Sequence, residues 1–370
     1  MDSATTVLIA AASGRALAAS ARRAGYAPLV ADFFGDQDTI AAADAHVRIE
    51  PGRGLNADAL LTAFEALSAA RDPCGAVYGT GFEDRPDLLA RIAQRWHLVG
   101  NGAQTVARIK DPLAFAGICR GAGIAHPETS LARPADISGW LAKRIGGAGG
   151  THIRPALDHT DGTDFYFQRR VAGVPVSALV MANGRHAIVL GFSMQWPSPS
   201  PRQPFRYGGA ARPAMLARET QAAMAAAVER LVAAIPLVGL NSADFVVDGD
   251  DFHLLEINPR PGATFDIFEP RRGSLFALHI AACRGMLPAV PPIYDDAAAG
   301  ATVYADCDIA AMPTLDWPDW TADRPIPGSS VKAEAPLCTV IAAAASVAQA
   351  KLLVERRTAT ILATLRARVS

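Results

Sequence analysis

Apolar positions along the chain alternate between short continuous runs and wider, helix-spaced repeats. Residues 6–11, built on Val7-Leu8-Ile9, form a buried-strand run; Ser13-Gly14 and an Ala/Arg helix to Arg23 follow. Gly25 closes that helix, and residues 28–34 read as a second strand with Asp32 near its end. The pattern predicts a helix over 57–70, a strand over 75–79, a helix over 86–96 and a short strand over 97–100. Strand and helix alternating in this way predict a parallel, doubly wound sheet.

After Asn101 the pattern changes. Residues 105–122 are predicted helical, with Lys110 and Asp111-Pro112 near the start. A short strand over 140–145 runs into the glycine-rich stretch 146–150. Strands are predicted over 165–171, 174–181 and 186–194, and the Pro/Ser/Gly-rich residues 197–209 read as a loop. A helix over 214–234 leads to two strands, 242–247 and 252–257, joined by Asp248-Gly249-Asp250-Asp251, which is a strong hairpin signal. A helix over 275–284, strands over 302–309 and 338–342, and a helix over 347–365 complete the reading. These shifts divide the chain into an N-terminal α/β unit (1–100), a lysine and glycine-loop unit (101–165), a hairpin unit (166–290) and a closing segment (291–370).

Composition narrows the function classes. Half of the 370 residues are hydrophobic and 19% are charged, which suits a folded globular enzyme. A formal net charge of −1 provides no basic field for nucleic acid. Five scattered cysteines without a CxxC pair argue against a disulfide framework or a thiolate zinc site. The apolar opening is short and has no basic leader, and no run approaches the ~18–20 residues of a membrane helix. A cytoplasmic protein without membrane or nucleic-acid partners is expected. A homodimer is the commonest symmetric assembly for such a chain.

The hairpin carries the strongest chemical signal. Asp244 lies on its first strand; Glu256 lies on the second, and Asn258 and Arg260 follow at two-residue spacing. Alternation puts these last three on one face if the strand persists, with Asp244 on the neighbouring strand. Two carboxylates and an amide oxygen suit Mg²⁺, and an arginine beside them suits a phosphate. An edge hairpin with a solvated charged face is the bland alternative. Lys143, at a strand end before Gly146, Gly147, Gly149 and Gly150, forms a second signal, since a glycine loop lets backbone N–H groups approach a polyphosphate. Such clusters are also ordinary turns, and Lys110 by itself is an ordinary helix lysine. There is no GxGxxG and no GxxxxGK[ST], nor a convincing Ser-His-Asp or Cys-His arrangement.

Taken in order, the lysine, the strand lysine with its glycine loop, and the hairpin ending Glu256-Ile257-Asn258-Pro259-Arg260-Pro261-Gly262 resemble the ATP-grasp superfamily over residues 101 to about 270. The preceding α/β unit looks like the domain that usually stands before such a module. The resemblance implies an α/β and α+β ATP-grasp fold and an ATP-dependent ligase. It implies that Lys110 and Lys143 touch ATP phosphates and that the glycine loop closes over them. Gln168, Arg169, Arg170 and Val171 would form the hinge beside adenine. Asp244, Glu256 and Asn258 would hold one or two Mg²⁺ ions, for which Mn²⁺ can substitute, and Arg260 and Lys143 would act on the transferred phosphoryl group. Arg144 stands where proline is commoner, and the hinge lacks the acidic residue often found there.

The segments Gly191-Phe192-Ser193-Met194-Gln195-Trp196 and Phe205-Arg206-Tyr207-Gly208-Gly209, with the tail around Ala335-Pro336-Leu337-Cys338-Thr339-Val340, are similar to a group described as predicted carboligases. That group includes tyramine–glutamate ligases of methanofuran-type cofactor synthesis. The resemblance implies small-molecule carboxylate and amine substrates, with glutamate joined to tyrosine or tyramine in a methylofuran-type pathway. Arg206 and Arg271 are candidates for clamping the acid and Tyr207 for packing against the amine; ordinary surface or core roles are the alternative for each. A carboxylase that activates bicarbonate and a non-catalytic nucleotide-binding module remain the rival readings.

Overall fold

The computed structural model describes residues 4–50, 55–158, 162 and 164–369. The chain opens with β1 (Thr6–Ala11), α1 (Arg15–Arg23), β2 (Ala27–Asp32), α2 (Gln37–Ala42), β3 (Ala45–Arg48), α3 (Ala57–Ser68), β4 (Ala76–Tyr78), α4 (Pro86–Ala93) and β5 (Leu98–Val99). The five strands form one parallel sheet in the order β3-β2-β1-β4-β5. Val7, Leu8, Ile9, Leu29 and Val30 are fully buried because helices cover both faces, which is why these strands read as unbroken apolar runs. Strand order reverses between β1 and β4. In open parallel sheets that switch point opens a crevice at the carboxyl ends of the strands.

Two short helices follow, α5 (Ala103–Lys110) and α6 (Pro112–Gly121), where the sequence predicts one. Asp111 separates them with an extended backbone, and its side chain accepts a hydrogen bond from the Ala114 amide. Pro112 then takes the first helical position, where a missing N–H costs nothing. The break leaves Lys110 at the last position of α5.

Next come β6 (Thr129–Ser130), β7 (Trp140–Arg144), β8 (Ile153–Pro155) and β9 (Phe165–Arg169), which form a small antiparallel sheet in the order β6-β9-β7-β8. The remaining elements are β10 (Val174–Asn183), β11 (Ala187–Pro197), β12 (Tyr207–Arg212), α7 (Arg218–Ala234), β13 (Val238–Asp248), β14 (Asp251–Asn258), α8 (Phe265–Phe268), α9 (Leu275–Cys283), β15 (Ala297–Tyr304), β16 (Thr321–Ala322), β17 (Pro336–Ala344) and α10 (Val347–Val369). Their strands form one eight-stranded sheet in the order β14-β13-β10-β11-β12-β15-β17-β16. Strands from the closing segment therefore extend the same sheet that carries the hairpin.

Two expectations need correction, and two short elements go unpredicted. Residues 207–212 form β12 in the middle of the sheet, where 197–209 reads as a loop. Gly208 and Gly209 mislead there: a Cβ at Gly209 would run into the Trp196 ring and the Gly300 carbonyl, so close backbone approach selects glycine within a strand. The strand expected over 302–309 is Ala297–Tyr304, carried by an alanine-rich run whose small side chains pack beneath α10. The short α2 and β3 escape the pattern because β3 is only half-buried. Among the described residues no helix is long and apolar enough to cross a membrane.

Candidate active site

The hairpin forms as its sequence predicts. β13 and β14 pair antiparallel, with Asp248 opposite Asp251 and the turn at Gly249-Asp250; Gly249 takes φ +60°. The register shifts between Asp244 and Phe245, a bulge that leaves Asp244 directly opposite Glu256. Asn258 Nδ2 donates to Asp244 Oδ2 at 3.0 Å, and Ser177 Oγ on β10 donates to Asp244 Oδ1 at 2.6 Å. Asp244, Glu256 and Asn258 thus converge on one patch.

Two lysines reach that patch from different elements. Lys110 Nζ, at the end of α5, lies 3.0 Å from Asn258 Oδ1 and 3.4 Å from Glu256 Oε2. Its ammonium thus bridges those two side chains. Lys143 on β7 is buried, and its Nζ donates to Gln168 Oε1 at 2.6 Å. Burial lowers the Lys143 pKa, opposed by Glu256 and Asp244. Burial raises that of Glu256, but Lys110 and Lys143 overcome this and hold it below the ordinary range. Asp244 moves up, through burial and the facing Glu256. One carboxylate of the pair is firmly ionised and the other is held back by it.

Arg260 follows the hairpin and is buried. Its Nε and Nη2 donate to Glu83 Oε1 at 2.8 and 2.5 Å, and Glu83 Oε2 accepts from the Gly81 amide at 2.8 Å. Glu83, from the turn after β4, could not be linked to Arg260 by spacing, since 177 positions separate them.

These groups share the wall of a cavity of about 650 Å³. Lys143, Asp244, Glu256, Asn258 and Arg260 line one side, and Ala12, Ser13, Asp36, Thr80 and Gly81 come from the carboxyl ends of the parallel strands. Trp196, Phe205, Tyr207, Tyr304 and Leu337 add apolar surface. A smaller space of about 210 Å³ adjoins it and shares Ser13, Thr80, Tyr207, Asp323 and Thr339.

The glycine stretch reaches the cavity with its second half only. Gly149 and Gly150 line it, and the Tyr207 amide donates to the Gly149 carbonyl at 2.9 Å. Gly150 has φ +71°, and a Cβ there would collide with the Phe205 carbonyl oxygen. Gly146 instead packs against Asp84, and Gly147 against His152.

Within the expected hinge, Gln168 turns its side chain to Lys143. The amides of Arg169 and Arg170 donate to the Glu128 and Gly139 carbonyls at 2.8 Å each, and the Arg169 guanidinium lies over the Trp140 ring and bonds to Ser138. The side chains of Arg169 and Arg170 are exposed and Val171 is half-buried.

Two expected substrate residues lie elsewhere. Arg206 is buried with its guanidinium 3.6 Å from the centre of the Tyr304 ring, and it donates to the Ser198 and Glu334 carbonyls at 2.9 and 3.0 Å. It fastens the loop before β12 to the closing segment and has no free face for an acid. Arg271 is exposed and pairs with Asp296 at 3.1 Å beside a separate cavity lined by Glu269, Tyr294 and Asp295. Tyr207 does line the main cavity.

A sheet-hairpin platform with two lysines, facing a parallel sheet across a cleft, is the arrangement expected of a nucleotide-activating enzyme, and residues 110–264 match an ATP-grasp domain family. The chain has the ATP-grasp fold. It is similar to biotin carboxylase from Campylobacter jejuni, solved as a β,γ-ATP complex, with TM-score 0.72 and 16% identity over 94% of this chain and 89% of that one. It is similar as well to N5-carboxyaminoimidazole ribonucleotide synthetase from Thermotoga maritima, with TM-score 0.70 and 15% identity over 96% and 98%. The biotin carboxylase domain of the Hydrogenobacter thermophilus 2-oxoglutarate carboxylase, solved with MgADP and bicarbonate, matches with TM-score 0.71 and 13% identity over 93% and 87%. No curated protein matches the sequence. The β13–β14 hairpin at the edge of the eight-stranded sheet carries Asp244 and Glu256, a carboxylate pair with an amide beside it. Among the described residues no group of three or more His, Cys, Asp or Glu side chains is disposed to hold a metal. A hard cation bound to the pair would therefore keep phosphate or water oxygens in the rest of its shell, which fits Mg²⁺.

Proposed function

We propose that this ATP-grasp protein is an ATP-dependent ligase that activates a carboxylate as an acyl phosphate and passes the acyl group to an amine. The observation that carries the reading is the convergence of Asp244, Glu256, Asn258, Lys143 and Arg260 on one cavity wall, with Lys110 bonded to Glu256 and Asn258. Mg²⁺ with the triphosphate would supply the cation that offsets charge on the transferring phosphoryl oxygens. Asp244 and Glu256 would hold it once Lys110 swings off Glu256 and Asn258 towards the phosphates. Lys143, kept in place by Gln168, offers its ammonium to the same oxygens, and Arg260, fixed by Glu83, faces the acyl phosphate. Such catalysis is positioning and charge stabilisation, and it needs no nucleophilic side chain.

The narrower reading, glutamate joined to tyrosine or tyramine for a methylofuran-type cofactor, draws its support from the amine side. Trp196, Tyr207 and Tyr304 line the cavity and suit an aromatic amine. The acid side loses the clamp expected from Arg206 and Arg271. ATP turnover driven by bicarbonate is the second reading, motivated by the carboxylases that share this fold. An ADP-release screen over amino acids and amines, with mass spectrometry of products, tests the proposal. ADP formed only with a carboxylate and amine pair supports it, and ADP formed with bicarbonate and no amine overturns it.

A further inference from the structure

The loop between β2 and α2 brings a carboxyl group into the same cavity that the ATP chemistry does not use. Asp36 is only 5% exposed, lines the cavity, and its Oδ2 has no hydrogen-bond partner among the described residues. Its carboxylate neighbours are all engaged. Asp32 accepts from the Gly14 and Gly35 amides and pairs with His46. Asp38 accepts from the amides of Asp323 and Arg324. Asp323 is held by Ser13, Arg15 and Thr339. Arg15 meanwhile forms a two-pronged pair with Asp266, so its charge is already shared. An unpartnered buried oxygen is costly, and the Asp36 side chain that carries it borders a cavity with room for a ligand.

We propose that Asp36 is the recognition point for the ammonium group of the amine substrate, a primary amine carried on an apolar body. A donor supplied by the ligand would partner the Asp36 carboxyl, and Phe34, Trp196, Tyr304 and Leu337 on the same cavity offer surface for its body. Burial, then Asp323, Asp32 and Asp38, push the Asp36 carboxyl up to about 8 against the pull of Arg15. At pH 7 the empty site therefore holds a proton that an arriving ammonium displaces. That the amine is a substrate rests on the ligase reading; the binding site does not.

The experiment is titration calorimetry of the full chain at pH 7 without ATP, in two buffers of different ionisation heat. The probes are 2-phenylethylamine and its neutral counterpart 2-phenylethanol. The amine is expected to bind more tightly than the alcohol and to release most of a proton. Asp36→Asn should weaken amine binding roughly tenfold or more, abolish the proton release and leave the alcohol unchanged. The variant is isosteric and removes repulsion among carboxylates, so its melting temperature should not fall; Asp36→Ser provides a second variant of smaller volume. Absence of amine binding to the unaltered protein, or equal binding with equal proton release in Asp36→Asn, overturns the site. Because no nucleotide is present, that failure leaves the ligase reading standing. Amine binding through Asp36 without ADP release in the substrate screen would overturn the ligase reading alone.

Discussion

The guanidinium of Arg260 places two hydrogen bonds on a single oxygen of Glu83, joining the exit of the β13–β14 hairpin to the turn after β4. Both side chains are buried, at 7% and 4% exposure, so neither charge has water to fall back on. Removing one partner strands the other, and Glu83→Gln should cost about 3–5 kcal/mol of stability. Chemical denaturation measures this, and Glu83→Gln combined with Arg260→Met should recover much of the loss. The pair also has a pH signature. Burial acts to raise the Glu83 pKa, but Arg260 and Lys110 outweigh it, so the native value lies below the ordinary 4.5. The unfolded chain therefore binds the proton first as pH falls. The contribution is whole above about pH 4.5 and drains as pH drops through the lowered native value. A Glu83→Gln protein should lose that segment of the acid-stability curve.

Glu256 tests the metal role. Its carboxylate, pulled down by Lys110 and Lys143, is the firmly ionised member of the pair opposite Asp244. Glu256→Gln preserves shape and removes the charge a cation needs. ADP formation should fall by roughly two orders of magnitude or more, with the circular dichroism spectrum unchanged. Near-normal turnover in a folded variant would remove the metal from this hairpin.

This carboxylate pair was legible in the sequence, whereas its surroundings were not, and the difference is physical. Asp248-Gly249-Asp250-Asp251 fixes a tight turn, a turn fixes register, and register puts Asp244 opposite Glu256. Local chemistry carries the inference all the way. Asp36 and Asp323 reach the cavity, and Glu83 reaches Arg260, from distant loops, and only the packing of the sheets brings them there. Arg206 illustrates the converse. Its neighbours in sequence suggest a cleft, but the ring that captures it, Tyr304, arrives from β15. The break at Asp111-Pro112 was available locally, as an N-cap followed by proline at the first helical position, and a continuous apolar period across it conceals the stop.

Lys143 should separate function from stability. It is buried, and burial lowers its pKa, so the folded protein gives up the proton more readily than the unfolded chain does. Below its native pKa the charge therefore opposes folding, and stability from this group rises as pH climbs through the lowered value towards the ordinary 10.5. Lys143→Met removes the opposing charge and keeps the volume. Its melting temperature at pH 7 should equal or exceed that of the unaltered protein, while ATP binding by calorimetry weakens about tenfold or more. A variant that melts earlier and binds ATP normally would make this lysine structural.

Gly150 tests the glycine loop where it meets the cavity. Its φ of +71° is a conformation that side chains strain to adopt, and a Cβ would strike the Phe205 carbonyl, a backbone atom that cannot rotate away. Gly150→Ala should therefore displace the loop from the lead-in to β12, at a local cost of about 1–3 kcal/mol. Because Tyr207 donates to the Gly149 carbonyl, the same shift loosens the cavity wall that Tyr207 provides. The apparent ATP requirement should rise several-fold with only a small fall in melting temperature, since the loop lies outside the main apolar clusters. Gly146→Ala meets Asp84 instead, away from the cavity lining, so it should cost stability without a comparable change in the ATP requirement. Equal kinetic effects of the two substitutions would mean that the whole stretch moves as one lid; unequal effects, with Gly150 dominant, locate the nucleotide contact in its second half.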